Sequence, residues 1–194
     1  MPTRALTLPT LALALLLAAP PLLAVAVGDA APDFKLQSTD GKEVSLAQFK
    51  GRTVVLEWNN PNCPFSLRHS QEKTVVNLAA KYPDVVFLAI NSTSAGHKDY
   101  LQPAAYQKFN ADHGVKFPVL YDASGATGQA YGAKTTPHMF VIDKTGRSAS
   151  AGALDDAPSG GAKVNYVDQA LAALAAGKSV DSASTKPYGC SVKY

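Results

Sequence analysis

Hydrophobic and polar positions change period along the chain, and the changes mark its elements. In "PDFKLQSTDGKEVSL", Phe34 and Leu36 alternate with polar residues and Asp40-Gly41 is a two-residue turn signal, which predicts a β-hairpin. "TVVLEW", ending at Trp58, is a β-branched apolar run of the kind found in a buried central strand. Beyond Pro64, Leu67, Val75, Leu78 and Ala79 recur at roughly helical spacing until Tyr82-Pro83, which predicts one helix of about eighteen residues. "VVFLAI" (85–90) is a second buried strand, so strand, helix and strand form a βαβ unit with parallel pairing. "AAYQKFNADHG" reads as a helix closed by Gly114, "FPVLYD" as a short strand, and "GATGQAYGA" as one or two helical turns. "HMFVIDKTGRSASAG" reads as a hairpin around 144–147. "VNYVDQALAALAAG" reads as a closing amphipathic helix with Val164, Val167, Leu171 and Leu174 inward.

This order predicts an α/β fold: a mixed β-sheet with helices on both faces and an N-terminal β-hairpin. The final stretch, "KSVDSASTKPYGCSVKY", has no periodicity and reads as a tail. The first 26 residues stand apart. Arg4 gives a positive n-region, Leu11 to Ala19 an apolar stretch, and Ala24-Val25-Ala26 a small-x-small cleavage site, the pattern of a signal peptide. Pro20 and Pro21 interrupt the run, which argues against a retained membrane anchor. The expected organisation is a leader at 1–26, one domain at 27–177 and a tail at 178–194, in a periplasmic or secreted protein that is free of the membrane once cleaved.

Composition narrows the partners. The formal net charge is +3 and there is no basic run, so nucleic acid is not an expected partner. Both cysteines, Cys63 and Cys190, lie beyond the leader. In an oxidising compartment two cysteines usually pair, either as a permanent staple or as a redox couple.

Cys63 lies between a buried strand and a helix. The free backbone N–H groups and dipole of a helix N-terminus favour a thiolate, and Pro64 suits the first helical position, where no N–H is required. Such a thiolate attacks disulfides or peroxides. Asn60 and Asn62 are candidate donors to the sulfur. Ser66 stands where a Cys-x-x-Cys pair would carry its second thiol; a hydroxyl can donate to Cys63 but cannot resolve a mixed disulfide. Resolution must come from Cys190, from another protein or from a small thiol.

"VVLEWNNPNCPFS", the distant "KTTPHMFVID" and the opening "VGDAAPDFKL" together resemble the thioredoxin superfamily, in particular its redoxin branch of peroxiredoxin-like proteins. The resemblance implies a thioredoxin-like fold and thiol redox chemistry needing no organic cofactor or metal. Thr136-Pro137 matches the family's cis-proline beside the active cysteine. Glu57 matches a buried acid that helps move protons in thioredoxins, and burial would raise its pKa; the alternative is a strand-end glutamate facing solvent. Two positions depart from peroxiredoxins: Leu56 and Asn60 replace the proline and hydroxyl residue of Pro-x-x-x-Thr/Ser-x-x-Cys, and only Arg68 is at hand as a peroxide-polarising arginine.

The ending "YGCSVKY" resembles that of a bacterial subgroup of redoxin-like proteins that also carry "CPF", which favours a functional Cys190. Gly177 to Cys190 spans thirteen residues, roughly 40 Å when extended, enough to cross a domain of this size. Tyr188, Val192 and Tyr194 offer surface for docking the tail. Histidines 69, 97, 113 and 138 have no zinc or haem spacing, which leaves His138, beside Thr136-Pro137, as a lone candidate for holding copper near Cys63. Trp58 reads as a packing aromatic. The leading expectation is an antioxidant that reduces peroxides or sulfenates through Cys63, Cys190, Glu57, Thr136 and Pro137, recharged by a thiol protein or small thiol. The alternatives are a thiol–disulfide oxidoreductase acting on proteins and a non-catalytic domain stapled by Cys63–Cys190.

Overall fold

A computed structural model of the chain describes residues 24–194. The expected leader, 1–26, lies outside the described residues but for its last three. Among the described residues no helix is long and apolar enough to cross a membrane.

The elements are β1 (Lys35–Ser38), β2 (Glu43–Ser45), β3 (Val54–Trp58), α1 (Pro64–Gln71), α2 (Thr74–Lys81), β4 (Val86–Asn91), α3 (Pro103–His113), β5 (Val119–Tyr121), α4 (Ala126–Tyr131), β6 (Thr135–Thr136), β7 (His138–Ile142), β8 (Ser148–Gly152), α5 (Tyr166–Ala175) and β9 (Cys190–Ser191). Seven strands form one mixed sheet in the order β2-β1-β5-β4-β3-β7-β8. β4 runs parallel to β3 and β5, and β7 runs antiparallel to β3. The expected βαβ unit and both hairpins are therefore present.

β3 is central and buried along its whole length. Val54, Leu56 and Trp58 pack on one face with Phe34, Tyr131 and Phe140, beneath α4 and the first hairpin. Val55 faces the other side, with Val75 and Leu78 of α2 and Val167 and Leu171 of α5. Burial on both faces explains why this strand reads as a continuous apolar run rather than an alternation. Trp58 is a packing aromatic: its ring lies 5.1 Å from both Tyr131 and Phe140, and its Nε1 donates to Ser92 Oγ.

The single long helix expected after Pro64 is instead two helices. They are divided at Lys73, whose φ of 54° is left-handed. The apolar period explains the break. Between Leu67 and Val75 no apolar residue continues the stripe, and the buried side chains of α1 are Ser66 and His69. α1 thus packs a polar side inward, and α2 turns so that Val75 and Leu78 reach the sheet.

The tail is also more ordered than its lack of periodicity suggests. It runs beside β8, where Ala151 N–H donates to Ala183 O and Thr185 N–H to Ala151 O. It then crosses to pair β9 with β6 in a separate two-stranded antiparallel sheet. Paired segments of two residues are too short to carry a period.

Candidate functional site

Cys63 is the N-cap of α1, with an extended backbone (φ −87°, ψ 123°) and Pro64 at the first helical position. A tight turn delivers it: Cys63 N–H donates to Asn60 O, and Asn62 N–H to Asn60 Oδ1. The asparagines build this turn and do not donate to the sulfur. Asn60 Nδ2 donates to Thr93 Oγ1 (2.8 Å) and Asp99 O, and Asn62 Nδ2 also donates to Asp99 O. The expectation that either would serve Cys63 is corrected: the loop carrying Thr93 and Asp99, on the same pocket, takes both amides.

Across from Cys63 is the Thr136-Pro137 step, which is cis as expected. The Cys63 Sγ–H donates to Thr136 O at 2.9 Å. In the β6–β9 ladder Cys190 is the direct partner of Thr136. The tail thereby brings Cys190 to the same pocket as Cys63. Both are free thiols in this structure. Gly189 makes the approach possible: its φ is 133°, and a Cβ there would lie 2.1 Å from Thr136 O. Cys63 is only 3% exposed beneath the tail strand, whereas Cys190 is partly exposed. The two thiols border a pocket of about 90 Å³ with Asn60, Asn62, Asp99 and Lys193.

The thiols differ in acidity. Burial pushes the Cys63 thiol up, but the donors around the sulfur (the Cys190 thiol, the Thr136 hydroxyl and the Ser66 backbone N–H) outweigh it and bring it below the ordinary thiol value. Burial and the neighbouring Cys63 sulfur push Cys190 up to about 11. One thiolate is therefore favoured, on Cys63, with Cys190 keeping its proton.

Ser66 does not act as expected. Its side chain is fully buried and its Oγ has no hydrogen-bond partner, so the hydroxyl gives the sulfur nothing. Arg68 is not aimed at Cys63; its guanidinium donates to Glu72, Ala157 O and Tyr188 Oη. Glu57 is buried, as its match to a thioredoxin acid implied, and burial raises its pKa to about 7 against the opposing hydrogen bond from Asn59. It lines a small separate cavity with His69 and Tyr106, not the pocket of the two thiols. His138 accepts from Lys134 N–H and lies against Phe140, and burial lowers its pKa to about 4. Its Nδ1 is taken up by the backbone rather than offered to a copper ion. Among the described residues no three His, Cys, Asp or Glu side chains are grouped to hold a metal. The sequence reading missed Asp155, which lies in a loop with no recognisable motif and meets Tyr188 in the tail.

A thiol pair on a thioredoxin-like sheet, with one cysteine capping a helix beside a cis-proline, agrees with a family model. Residues 26–171 match the model described as Redoxin. The chain belongs to the redoxin family. This redoxin is 30% identical over 124 residues to the thiol-disulfide oxidoreductase ResA of Geobacillus thermodenitrificans (strain NG80-2), covering 64% of the chain and 67% of the relative. The match thus spans about two thirds of that relative's length. Among solved structures, an uncharacterized conserved protein from Geobacillus kaustophilus superposes with a TM-score of 0.80 at 32% identity, over 87% of this chain and 92% of that one. A secreted disulfide oxidoreductase of Mycobacterium tuberculosis shares the fold, with a TM-score of 0.51 at 24% identity over 59% and 79% of the two chains. The redoxin therefore stands in a family of thiol-dependent oxidoreductases.

Proposed function

We propose that this redoxin is an exported thiol–disulfide oxidoreductase that exchanges disulfides with proteins through Cys63 and Cys190. The observation that carries the reading is the pairing of Cys190 opposite Thr136, which holds a second thiol against Cys63 although the helix itself offers only Ser66. The kinship with ResA supports disulfide exchange over peroxide reduction. So does the engagement of Arg68 and Asn60, the two groups that would otherwise handle a peroxide.

In the reducing direction β9 shifts to uncover Cys63. The Cys63 thiolate attacks a substrate disulfide, forming a Cys63–substrate bond and releasing one substrate thiolate. Cys190, as it loses its proton, attacks the Cys63 sulfur and expels the second substrate thiolate. The protein is left with a Cys63–Cys190 disulfide, and the substrate has gained two electrons, the proton released by Cys190 and, from solvent, the one Cys63 gave up on becoming a thiolate. A thiol protein or small thiol of the same compartment reverses the steps. Thr136 and Pro137 hold the floor of the site, the Thr136 carbonyl accepting a hydrogen bond from the Cys63 thiol when it is neutral. Glu57 lies in its own cavity, and no proton transfer at sulfur is routed through it.

The test is a mass map of trapped thiols after mild oxidation, followed by turnover of a disulfide-bonded peptide with a thiol reductant. The expected results are a Cys63–Cys190 bond in the oxidised protein and turnover abolished by Cys63→Ser. Two thiols that stay unpaired under oxidation would overturn the reading. So would hydrogen peroxide consumption far faster than that of a free thiol together with no peptide turnover.

A further inference from the structure

One buried polar cluster takes no part in the exchange just described. Tyr188, two residues before Cys190, donates its hydroxyl hydrogen to Asp155 Oδ1 and accepts from Arg68 Nη2 at 3.2 Å. His69 Nε2 lies 2.9 Å from the same hydroxyl and 2.9 Å from Arg68 Nη2. With its hydrogen on Nδ1, facing Thr74 Oγ1, the neutral imidazole accepts at Nε2 from Arg68 Nη2 and not from the Tyr188 hydroxyl, whose hydrogen goes to Asp155. Asp155 and His69 are 3% and 2% exposed. The Tyr188 ring lies 6.0 Å from Phe65 and 6.2 Å from His69.

Phe65, Arg68 and His69 all belong to α1, the helix that Cys63 caps. The cluster therefore fastens the tail to the same rigid element that carries the other sulfur. Beyond Cys190 a second attachment holds: Tyr194 Oη donates to Ala133 O, and Val192 N–H to Lys134 O. Burying an arginine, a carboxylate, a histidine and a phenol together carries a desolvation cost that apolar side chains would avoid. The hydroxyl of Tyr188 bonds Asp155 and Arg68 while His69 packs against its ring, so the arrangement fixes where Tyr188 lies, and through Gly189 where Cys190 lies.

We propose that Tyr188, seated on Asp155, Arg68 and His69, is a positioning residue that keeps Cys190 within bonding reach of Cys63. The proposal rests on the reading of these cysteines as a redox pair. How readily two thiols join depends on the effective concentration at which they are held. Removing the hydroxyl takes away hydrogen bonds to charged groups, and about a tenfold loss of effective concentration is expected.

The experiment equilibrates the full chain and its Tyr188→Phe and Tyr188→Ala variants in glutathione redox buffers, quenches with acid and maps each cysteine by mass. Tyr82→Phe is the control, since its hydroxyl meets Asp168 far from the site. Both Tyr188 variants are expected to shift from the internal disulfide to glutathione adducts by about tenfold, with Tyr82→Phe matching the wild type. Tyr188→Phe keeps the ring, so a folded variant with the altered equilibrium separates positioning from stability. Equilibria within about twofold of wild type in both Tyr188 variants, whatever their melting temperatures, would overturn the proposal. A wild type that forms no internal disulfide would instead overturn the redox-pair reading beneath it.

Discussion

Cys190 lies directly across the β6–β9 ladder from Thr136, whose carbonyl oxygen is 2.9 Å from the Cys63 sulfur. A single residue thus meets both cysteines, one through its strand partner and one through its oxygen. The second thiol comes from the far end of the chain and not from the next helical turn, and strand pairing holds it there. Chemistry at this site should depend on the tail as a folded element.

Gly189→Ala tests that dependence. The backbone there sits at φ 133°, and a Cβ would meet Thr136 O at 2.1 Å, so β9 cannot keep its place. Release of the strand uncovers Cys63 and separates it from Cys190. The expected outcome is faster maleimide labelling of Cys63 by at least about tenfold and failure of the internal disulfide under mild oxidation. Unchanged labelling with an intact disulfide would show that the tail does not cover the site.

Their surroundings make the two thiols titrate apart. Thiolate absorbance should rise in two steps, the first below the ordinary thiol value and assigned to Cys63, the second near 11 and assigned to Cys190. Cys190→Ala removes a donor to the Cys63 sulfur, so the remaining step should move upward. A downward move would mean that the Cys190 thiol contributes burial to Cys63 and no hydrogen bond.

The strands and hairpins were legible because burial leaves a simple pattern: Val54, Val55 and Leu56 run together where both faces are covered, and Phe34 and Leu36 alternate near the edge. The division of α1 from α2 was legible only in retrospect, as the absence of apolar residues between Leu67 and Val75. Cys63 announced itself through Pro64 and the strand before it. That Cys190 could reach it followed from chain length, but the pairing did not, since two-residue strands carry no period. Asp155 left no sign at all, because its partners Arg68 and Tyr188 are 87 and 33 residues away in sequence and meet it only in the fold.

Glu57 gives stability a particular pH dependence. Burial raises its pKa from 4.5 to about 7, so the folded protein holds this proton more tightly than the unfolded chain. Its contribution is most favourable below pH 4.5, declines as pH rises through about 7 and is level above that. The decline should be on the order of 3 kcal/mol. Glu57→Gln keeps an acceptor for Asn59 Nδ2 without the charge. Denaturant unfolding of both proteins at a series of pH values isolates the term, because the other titrating groups cancel in the difference. Wild type minus variant should fall across this window, and a flat difference would mean that Glu57 is hydrated.

Ser66 is the residue that makes this helix unlike a Cys-x-x-Cys helix, and its hydroxyl is buried with no partner. An unsatisfied buried hydroxyl is a cost to the fold, and what residue 66 contributes to lowering the Cys63 pKa is its backbone N–H, which any residue but proline supplies. Ser66→Ala should therefore be neutral or stabilising by about 1 kcal/mol in denaturant unfolding. It should also leave the Cys63 titration and peptide turnover within about twofold of wild type. A turnover loss of about tenfold, or an upward move of the Cys63 titration, would mean that the hydroxyl turns to the sulfur during exchange. The serine would then be part of the chemistry rather than a vacancy that Cys190 fills from the tail.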